Sequence, residues 1–358
     1  MAFIPNRPYN QLPPLPPRGD LETRRVLKAT IDARAALARL HSSGQLVPNQ
    51  DILIGSIPLL EAQASSEIEN IVTTADRLFR FANEAATQAD PATKEALRYR
   101  AALYEGFQLL SKRPVSTNMA VEICSRIKGV ATNIRSTPGT ALLNESSGEI
   151  VYTPPQGSER LRTMLANWER YIHEEKGVDP LVRMAVMHCQ FEAIHPFTDG
   201  NGRTGRILNL LFLIEQRLLD LPVLYLSRYI IAHKREYYAL LLKVTADQAW
   251  EEWILFMLTA INETSQWTNS RIQAIRKLLD ETADKVRSQA PKIYTRELVE
   301  LIFTQPYTRI SDLVTKGIAQ RQTASTHLKK LADIGLLEER PAGREKLFIN
   351  TALVRLLS

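Results

Sequence analysis

Cysteine is scarce in this chain, with two in 358 residues, so a disulfide framework is excluded and so is a zinc module built on paired cysteines. Cys124 and Cys189 stand in apolar, helix-like surroundings without metal-ligand spacing, which reads as two buried free thiols in a reducing cytoplasm. Long apolar runs are missing too. Nothing approaches the roughly 18 residues of a membrane span, and Met1 to Pro17 has no basic segment followed by an apolar one, so neither secretion nor a membrane partner is expected. Also absent are internal repeats, a Gly-x-x-x-x-Gly-Lys-Ser/Thr loop and a glycine fingerprint after a strand, which removes two large nucleotide-binding classes.

A 44% hydrophobic fraction can fill ordinary cores, and 23% charged residues argue against wholesale disorder. The length allows two or three domains. A net charge of +6 permits a polyanionic partner without requiring one.

Six prolines between Pro5 and Pro17 make residues 1–20 an extended arm, free for a proline-reading partner or packed on its own domain. Apolar spacing then predicts helices over 21–40, 59–84, 91–110, 116–128, 158–175, 180–194, 202–217, 235–260 and 267–288. One β signal interrupts them: at Thr140 to Tyr152 a Ser147-Gly148 turn joins short apolar runs, and Pro154 and Pro155 stop the second. The expected fold is mainly α with a small hairpin. Its expected parts are a helical region over 21–110, a catalytic core over 111–288 and a separate C-terminal domain over 291–358, beyond Gln289-Ala290-Pro291.

The segment His195-Pro-Phe-Thr-Asp199-Gly-Asn-Gly-Arg203-Thr-Gly-Arg206 gathers a base, a carboxylate, three glycines and two arginines between two helices. Gly200 and Gly202 let backbone approach a ligand, and their amides lead into a helix N-terminus suited to phosphate. Arg203 and Arg206, three apart, can reach one helix face and grip phosphate oxygens. Asp199 is a hard oxygen ligand suited to Mg²⁺. His195, where Pro196 stops the preceding helix, can take a proton near neutral pH.

Position for position this segment resembles the signature of the Fic family, His-x-Phe-x-Asp/Glu-Gly-Asn-Gly-Arg-x-x-Arg, and Gln190 to Ile194 is similar as well. The resemblance implies that His195 deprotonates a Ser, Thr or Tyr hydroxyl on a target protein and that AMP passes from ATP with release of pyrophosphate. It further implies Mg²⁺ at Asp199, the α- and β-phosphates at Asn201 and the amides of Gly200 and Gly202, and the γ-phosphate at Arg206; Arg203 is a phosphate or structural contact. Ser65, Glu69 and Asn70 match the family's inhibitory pattern Ser/Thr-x-x-x-Glu-Gly/Asn, whose glutamate pairs with the second motif arginine. A carboxylate and a phosphate compete for the same guanidinium fork. The hairpin occupies the place of the family's target-docking flap, with Tyr152 as the flap residue singled out. Residues 224–229 and Tyr237-Tyr238 are similar to the downstream part of such domains without fixing adenine contacts.

In the C-terminal domain, Thr323 to Leu337 followed by Arg340 to Ile349 resembles a winged helix-turn-helix with its wing around Ala342-Gly343. That resemblance would turn Thr323 and Ser325 toward DNA bases and set Lys329, Lys330 and Arg344 near phosphates. From Pro291 onward 11 Lys or Arg stand against 7 Asp or Glu; such modules also serve as protein-contact or dimer modules. The leading expectation is thus a protein adenylyltransferase held in check by Glu69. The alternatives are a DNA-binding regulator with a nucleotide-sensing Fic domain, a bifunctional enzyme that also removes AMP, and transfer of another group, phosphate or phosphocholine, as in some relatives.

Overall fold

The structure is a computed structural model of the whole chain and describes residues 3–82, 89–144, 147–342 and 345–357. Side-chain caps begin several of its helices: Thr23 accepts from Val26 N at the start of α1 (Arg24–Gln45), and Ser116 from Met119 N at the start of α5 (Thr117–Lys128). α1 packs along α11 (Trp250–Gln289), a 40-residue helix. Between them in sequence come α2 (Asp51–Ile68), α3 (Ala75–Phe81), α4 (Pro91–Leu109), α6 (Ser158–Glu174), α7 (Pro180–Ile194), α8 (Asn201–Glu215), α9 (Ser227–Ala232) and α10 (Lys234–Asp247). Almost every side chain of α7 and α8 is buried, and the loop between them is residues 195–200. The chemistry-bearing segment therefore hangs between the two most enclosed helices.

Two helix boundaries differ from the sequence reading. The expected helix over 59–84 starts earlier, at Asp51, with Pro58 inside it, and stops at Ile68; Asn70 takes a positive φ of 60°, which ends the helix, and α3 begins anew at Ala75. The tail of that expected helix, 83–84, lies outside the described residues. The expected break between 260 and 267 is filled by α11. Ser265 and Thr268 are buried and continue its packed stripe, and no glycine or proline interrupts it; the true break is at Gln248, in the left-handed region.

The hairpin pairs β1 (Leu142–Leu143) with β2 (Ile150–Tyr152), antiparallel and irregular in register. The proline-rich arm packs on its own domain. Leu12 and Leu15 are buried, Tyr9 N donates to the Thr153 carbonyl at 2.9 Å, and Gln190 Nε2 donates to the Pro13 carbonyl at 2.9 Å.

After a 3-10 turn at Pro291–Ile293 come α12 (Arg296–Thr304), β3 (Tyr307–Thr308), α13 (Ile310–Thr315), α14 (Arg321–Asp333), β4 (Glu338–Ala342), β5 (Glu345–Ile349) and α15 (Thr351–Leu357). The strands form an antiparallel sheet in the order β3-β5-β4. Gly335, at φ 70°, turns the chain out of α14. The chain is mainly α, as expected, with two small sheets among the described residues.

Candidate functional site

His195 caps α7 in the left-handed region, at φ 50°. It is held there by a residue 60 positions away. Arg135 Nε donates to the His195 carbonyl at 2.7 Å, and its Nη2 donates to the carbonyls of Pro155 at 2.5 Å and Ile194 at 3.4 Å. A buried guanidinium satisfied by carbonyls costs desolvation, which lowers its pKa, and it fixes the backbone from which the imidazole projects. The His195 Nδ1–H donates to the Glu192 carbonyl at 3.3 Å. That contact assigns the tautomer and leaves Nε2 as the basic nitrogen. Burial pulls the imidazole pKa down to about 4, so the ring is neutral at pH 7.

The following loop is shaped from within. Asn201 Oδ1 accepts from Phe197 N, and its Nδ2 donates to the Phe197 carbonyl, both at 2.8 Å. Both polar ends of this side chain are thus taken up by its own loop, and the residue is 2% exposed. Gly200 sits at φ 86°, where a side chain would be strained, and there a Cβ would stand 3.3 Å from Cys124 Sγ. That thiol donates to the Asp199 carbonyl at 3.4 Å. The amides of the first turn of α8 follow directly, which makes the loop an anion cradle.

The two motif arginines part company. Arg203 and Arg206 are each 1% exposed, yet Arg203 ion-pairs with Glu95 of α4, with Asp199 Oδ1 at 3.6 Å. It braces the loop and does not share a ligand with Arg206. Arg206 turns to α2: its Nε donates to Ser65 Oγ at 2.8 Å, and its Nη2 to the Ser65 carbonyl at 2.9 Å and to Glu69 Oε1 at 2.8 Å. Burial disfavours its charge, but the Glu69 carboxylate more than restores it. At Gly202 a Cβ would collide with the Glu69 carboxylate and come within 2.9 Å of Arg206 Nη1, so this glycine makes room for the pair.

Asp199, half exposed, ion-pairs with Lys128 of α5. Partial burial opposes its ionisation, but Lys128 and Arg203 hold its pKa below the usual value. A single ionised carboxylate beside an anion cradle fits a Mg²⁺ that brings its other ligands as phosphate oxygens and waters. It does not fit a protein-only cage, and no cluster of three or more His, Cys, Asp or Glu that could hold a metal occurs among the described residues.

Behind this site, Glu192 Oε1 is buried without a hydrogen-bond partner. It lies 4.0 Å from His188 Nδ1 and against Gly205, where a Cβ would be 2.5 Å away. Burial raises Glu192 to about 8 and lowers His188 to about 3. Both are thus neutral at pH 7, and their contact is no salt bridge. His188 Nε2 meets the Tyr237 hydroxyl at 2.8 Å.

The structure thus brings together His195, Asp199, Gly200, Asn201, Gly202, Arg203, Arg206 and Glu69. Tyr152 is placed differently from the expectation. Its side chain is 5% exposed and its hydroxyl donates to the Ala193 carbonyl at 2.7 Å, so on the hairpin it is Leu143 and Ile150, 56% and 40% exposed, that face outward. Thr323, Lys329 and Lys330 are exposed and Ser325 half-buried along α14; Arg344 lies outside the described residues. Arg135, Lys128 and Glu192 were missed by sequence reasoning. Only Glu192 carried a signal, as the single acid on a helix made mostly of apolar residues.

Comparison with known proteins finds matches along most of the chain. Residues 27–108 match the Fic/DOC family N-terminal model, residues 118–213 the Fic/DOC family, and residues 278–353 the C-terminal domain of SoFic-like protein adenylyltransferase. A probable protein adenylyltransferase of Aquifex aeolicus is 29% identical over 178 residues, 48% of this chain and 52% of that protein. A protein adenylyltransferase of Caenorhabditis briggsae is 37% identical over 87 residues, 24% of this chain and 16% of that protein. The chain therefore spans about half the length of one curated relative and far less of the other. Among solved structures, a Fic family protein from Desulfovibrio desulfuricans superposes with a TM-score of 0.57 at 18% identity, over 93% of this chain and 98% of that one. A Fic domain signaling protein from Bacteroides thetaiotaomicron gives 0.53 at 16% identity, over 68% and 97%. The solved neighbours share the fold, and the family models matched over its N-terminal helices, its motif-bearing core and its C-terminal domain show that the chain belongs to the Fic/DOC family.

Proposed function

We propose that the chain is a protein adenylyltransferase that moves AMP from ATP to a Ser, Thr or Tyr hydroxyl of a protein target, with Glu69 as its internal inhibitor. The observation that carries the reading is the position of Arg206: a buried guanidinium beside an anion cradle, occupied by Glu69 where a γ-phosphate would bind. The family match and the naming of relatives as protein adenylyltransferases support it.

The chemistry follows from the side chains. His195 Nε2 removes the proton from the target hydroxyl; the oxygen attacks the α-phosphorus, the bond to the bridging oxygen breaks, and pyrophosphate leaves. The amides of Gly200 and Gly202 and the N-terminus of α8 receive phosphate oxygens. Arg203 keeps the loop in place through Glu95. Asp199 would hold Mg²⁺, which supplies charge neutralisation on the phosphates. Exposed Leu143 and Ile150 favour a hairpin that docks an extended target segment by strand addition, with Tyr152 contributing backbone and anchoring the strand.

For the C-terminal domain, the exposed row Thr323, Lys329 and Lys330 favours reading it as a winged helix-turn-helix that contacts DNA, and Ser325 stands half-buried beside them. The same domain type serves homodimers, which gel filtration at two concentrations would reveal. No helix among the described residues is long and apolar enough to cross a membrane, and two free thiols suit a cytoplasmic site of action.

The decisive experiment is intact-protein mass spectrometry after incubation with Mg²⁺ and ATP. Glu69→Gly should gain AMP on itself, and the gain should vanish in Glu69→Gly with His195→Ala, since losing a positioned base costs roughly 100-fold or more. Modification that persists without His195 would refute the mechanism. Loss of the label from a modified protein on changing to ATP-free buffer, only with Glu69 present, would mark the bifunctional alternative.

A further inference from the structure

Glu69 lies between two segments that the C-terminal domain grips. Upstream, at the start of α2, Asn49 Nδ2 donates to Glu300 Oε2 at 2.9 Å. Gly55 approaches the end of α12 so closely that a Cβ would stand 2.7 Å from the Thr304 carbonyl oxygen. Downstream, on α3, the Phe79 ring stacks on Tyr307, with centroids 6.2 Å apart and planes 6° from parallel. The Tyr307 hydroxyl donates to Asp76 Oδ1, and Arg309 Nη2 donates to the Arg80 carbonyl at 3.4 Å. Tyr307 is 4% exposed, so its ring and hydroxyl are both committed to this junction.

Helix α2 is the connecting member. From Gly55 to Glu69 it spans roughly 21 Å, one end seated on α12 and the other delivering Ser65 and Glu69 to Arg206. Pro58 stands between those ends. Proline removes a rung of the helical ladder and allows the halves to change angle, so what holds the first turn and α3 also decides where Glu69 points.

We infer that Tyr307 is a positioning residue for the inhibitory carboxylate: through Phe79 and Asp76 it fixes α3, and with the Gly55–Thr304 contact it keeps the turn at Glu69 seated on Arg206. The C-terminal domain thereby sets how firmly the nucleotide site is closed, and whatever binds that domain acts on the same lever. The inference rests on the reading of Glu69 as the competitor of ATP.

The test uses the full chain and ATP affinity in Mg²⁺ by titration calorimetry, with melting temperature as a check on folding. Tyr307→Phe keeps the stack and loses the hydroxyl contact; Asp76→Ala, exposed on α3 and tolerant of change, removes the same contact from the other side. Each should tighten ATP binding about fivefold with Glu69 present, and by less than twofold in a Glu69→Gly background. Unchanged affinity in both natively folded variants, or an equal gain in both backgrounds, overturns the positioning role while leaving the inhibitor reading standing. If Glu69→Gly itself leaves ATP affinity unchanged, that reading fails and this inference with it.

Discussion

Glu69→Gly takes from Arg206 the carboxylate met by its Nη2 at 2.8 Å and leaves its two contacts to Ser65. A hydrogen bond to a charged group contributes about 1.5–3 kcal/mol. The Glu69 side chain is 32% exposed, which screens the interaction, so about 2 kcal/mol is the appropriate figure. ATP no longer has to displace that ligand, and at 1.4 kcal/mol per tenfold the affinity should rise about 30-fold. Stability moves the other way. Arg206 remains buried with a charge only partly satisfied, so the nucleotide-free protein should melt a few degrees lower. Added ATP with Mg²⁺ should then raise the melting temperature of the variant by more than that of the parent. Titration calorimetry and thermal melts on the same preparations check both signs. A variant that melts lower while binding ATP within twofold of the parent would show Glu69 to be a structural ion-pair partner and nothing more.

Two further outcomes depend on proton positions. Burial lowers His195 to about 4, and the reaction needs the neutral ring, so kcat/KM of Glu69→Gly should stay level between pH 6 and 8 and fall as pH drops through about 4; a break near 6.5 would show an ordinary, solvated imidazole. Burial raises Glu192 to about 8, so its contribution to stability is intact below the ordinary carboxylate pKa and is lost as pH rises through about 8. Glu192→Gln, a neutral isostere, should accordingly raise the melting temperature more at pH 8.5 than at pH 5, and equal gains would contradict the buried acid.

Much of the fold was legible because the apolar spacing of α4, α5 and α6 is strong, α7 is apolar nearly all round, and helix starts carry Asp90, Ser116 and Pro180. The misplaced boundaries have physical causes. Pro58 looks like a helix start, but buried neighbours on both sides, Ile57 and Leu59, keep the helix through it. The polar stretch around Glu263 looks like a break, but the packing of α11 on α1 carries the helix past it. Within the site, the motif supplied the residues but not their directions. Asn201 could bond outward or back to its own loop, and Arg135 reaches His195 across 60 positions with no local pattern to announce it.

The fate of the two arginines shows why an inhibitory glutamate, as proposed for Glu69, suits this geometry. Guanidinium groups 1% exposed cannot stay unpaired, since the desolvation of a lone buried charge is prohibitive. Arg203 meets that requirement permanently through Glu95 on α4. Arg206 cannot be given a permanent partner if its task is to receive a phosphate, yet it must be satisfied whenever no nucleotide is present. Ser65 and Glu69 supply a ligand set that is good enough to fold around and weak enough to yield: one carboxylate oxygen, a hydroxyl and a carbonyl, the carboxylate a third exposed. Inhibition and the stability of the empty site are on this view one interaction seen from two states. A change that strengthens the pair should therefore tighten both together, and one that frees Glu69 should cost folding what it gives to ATP.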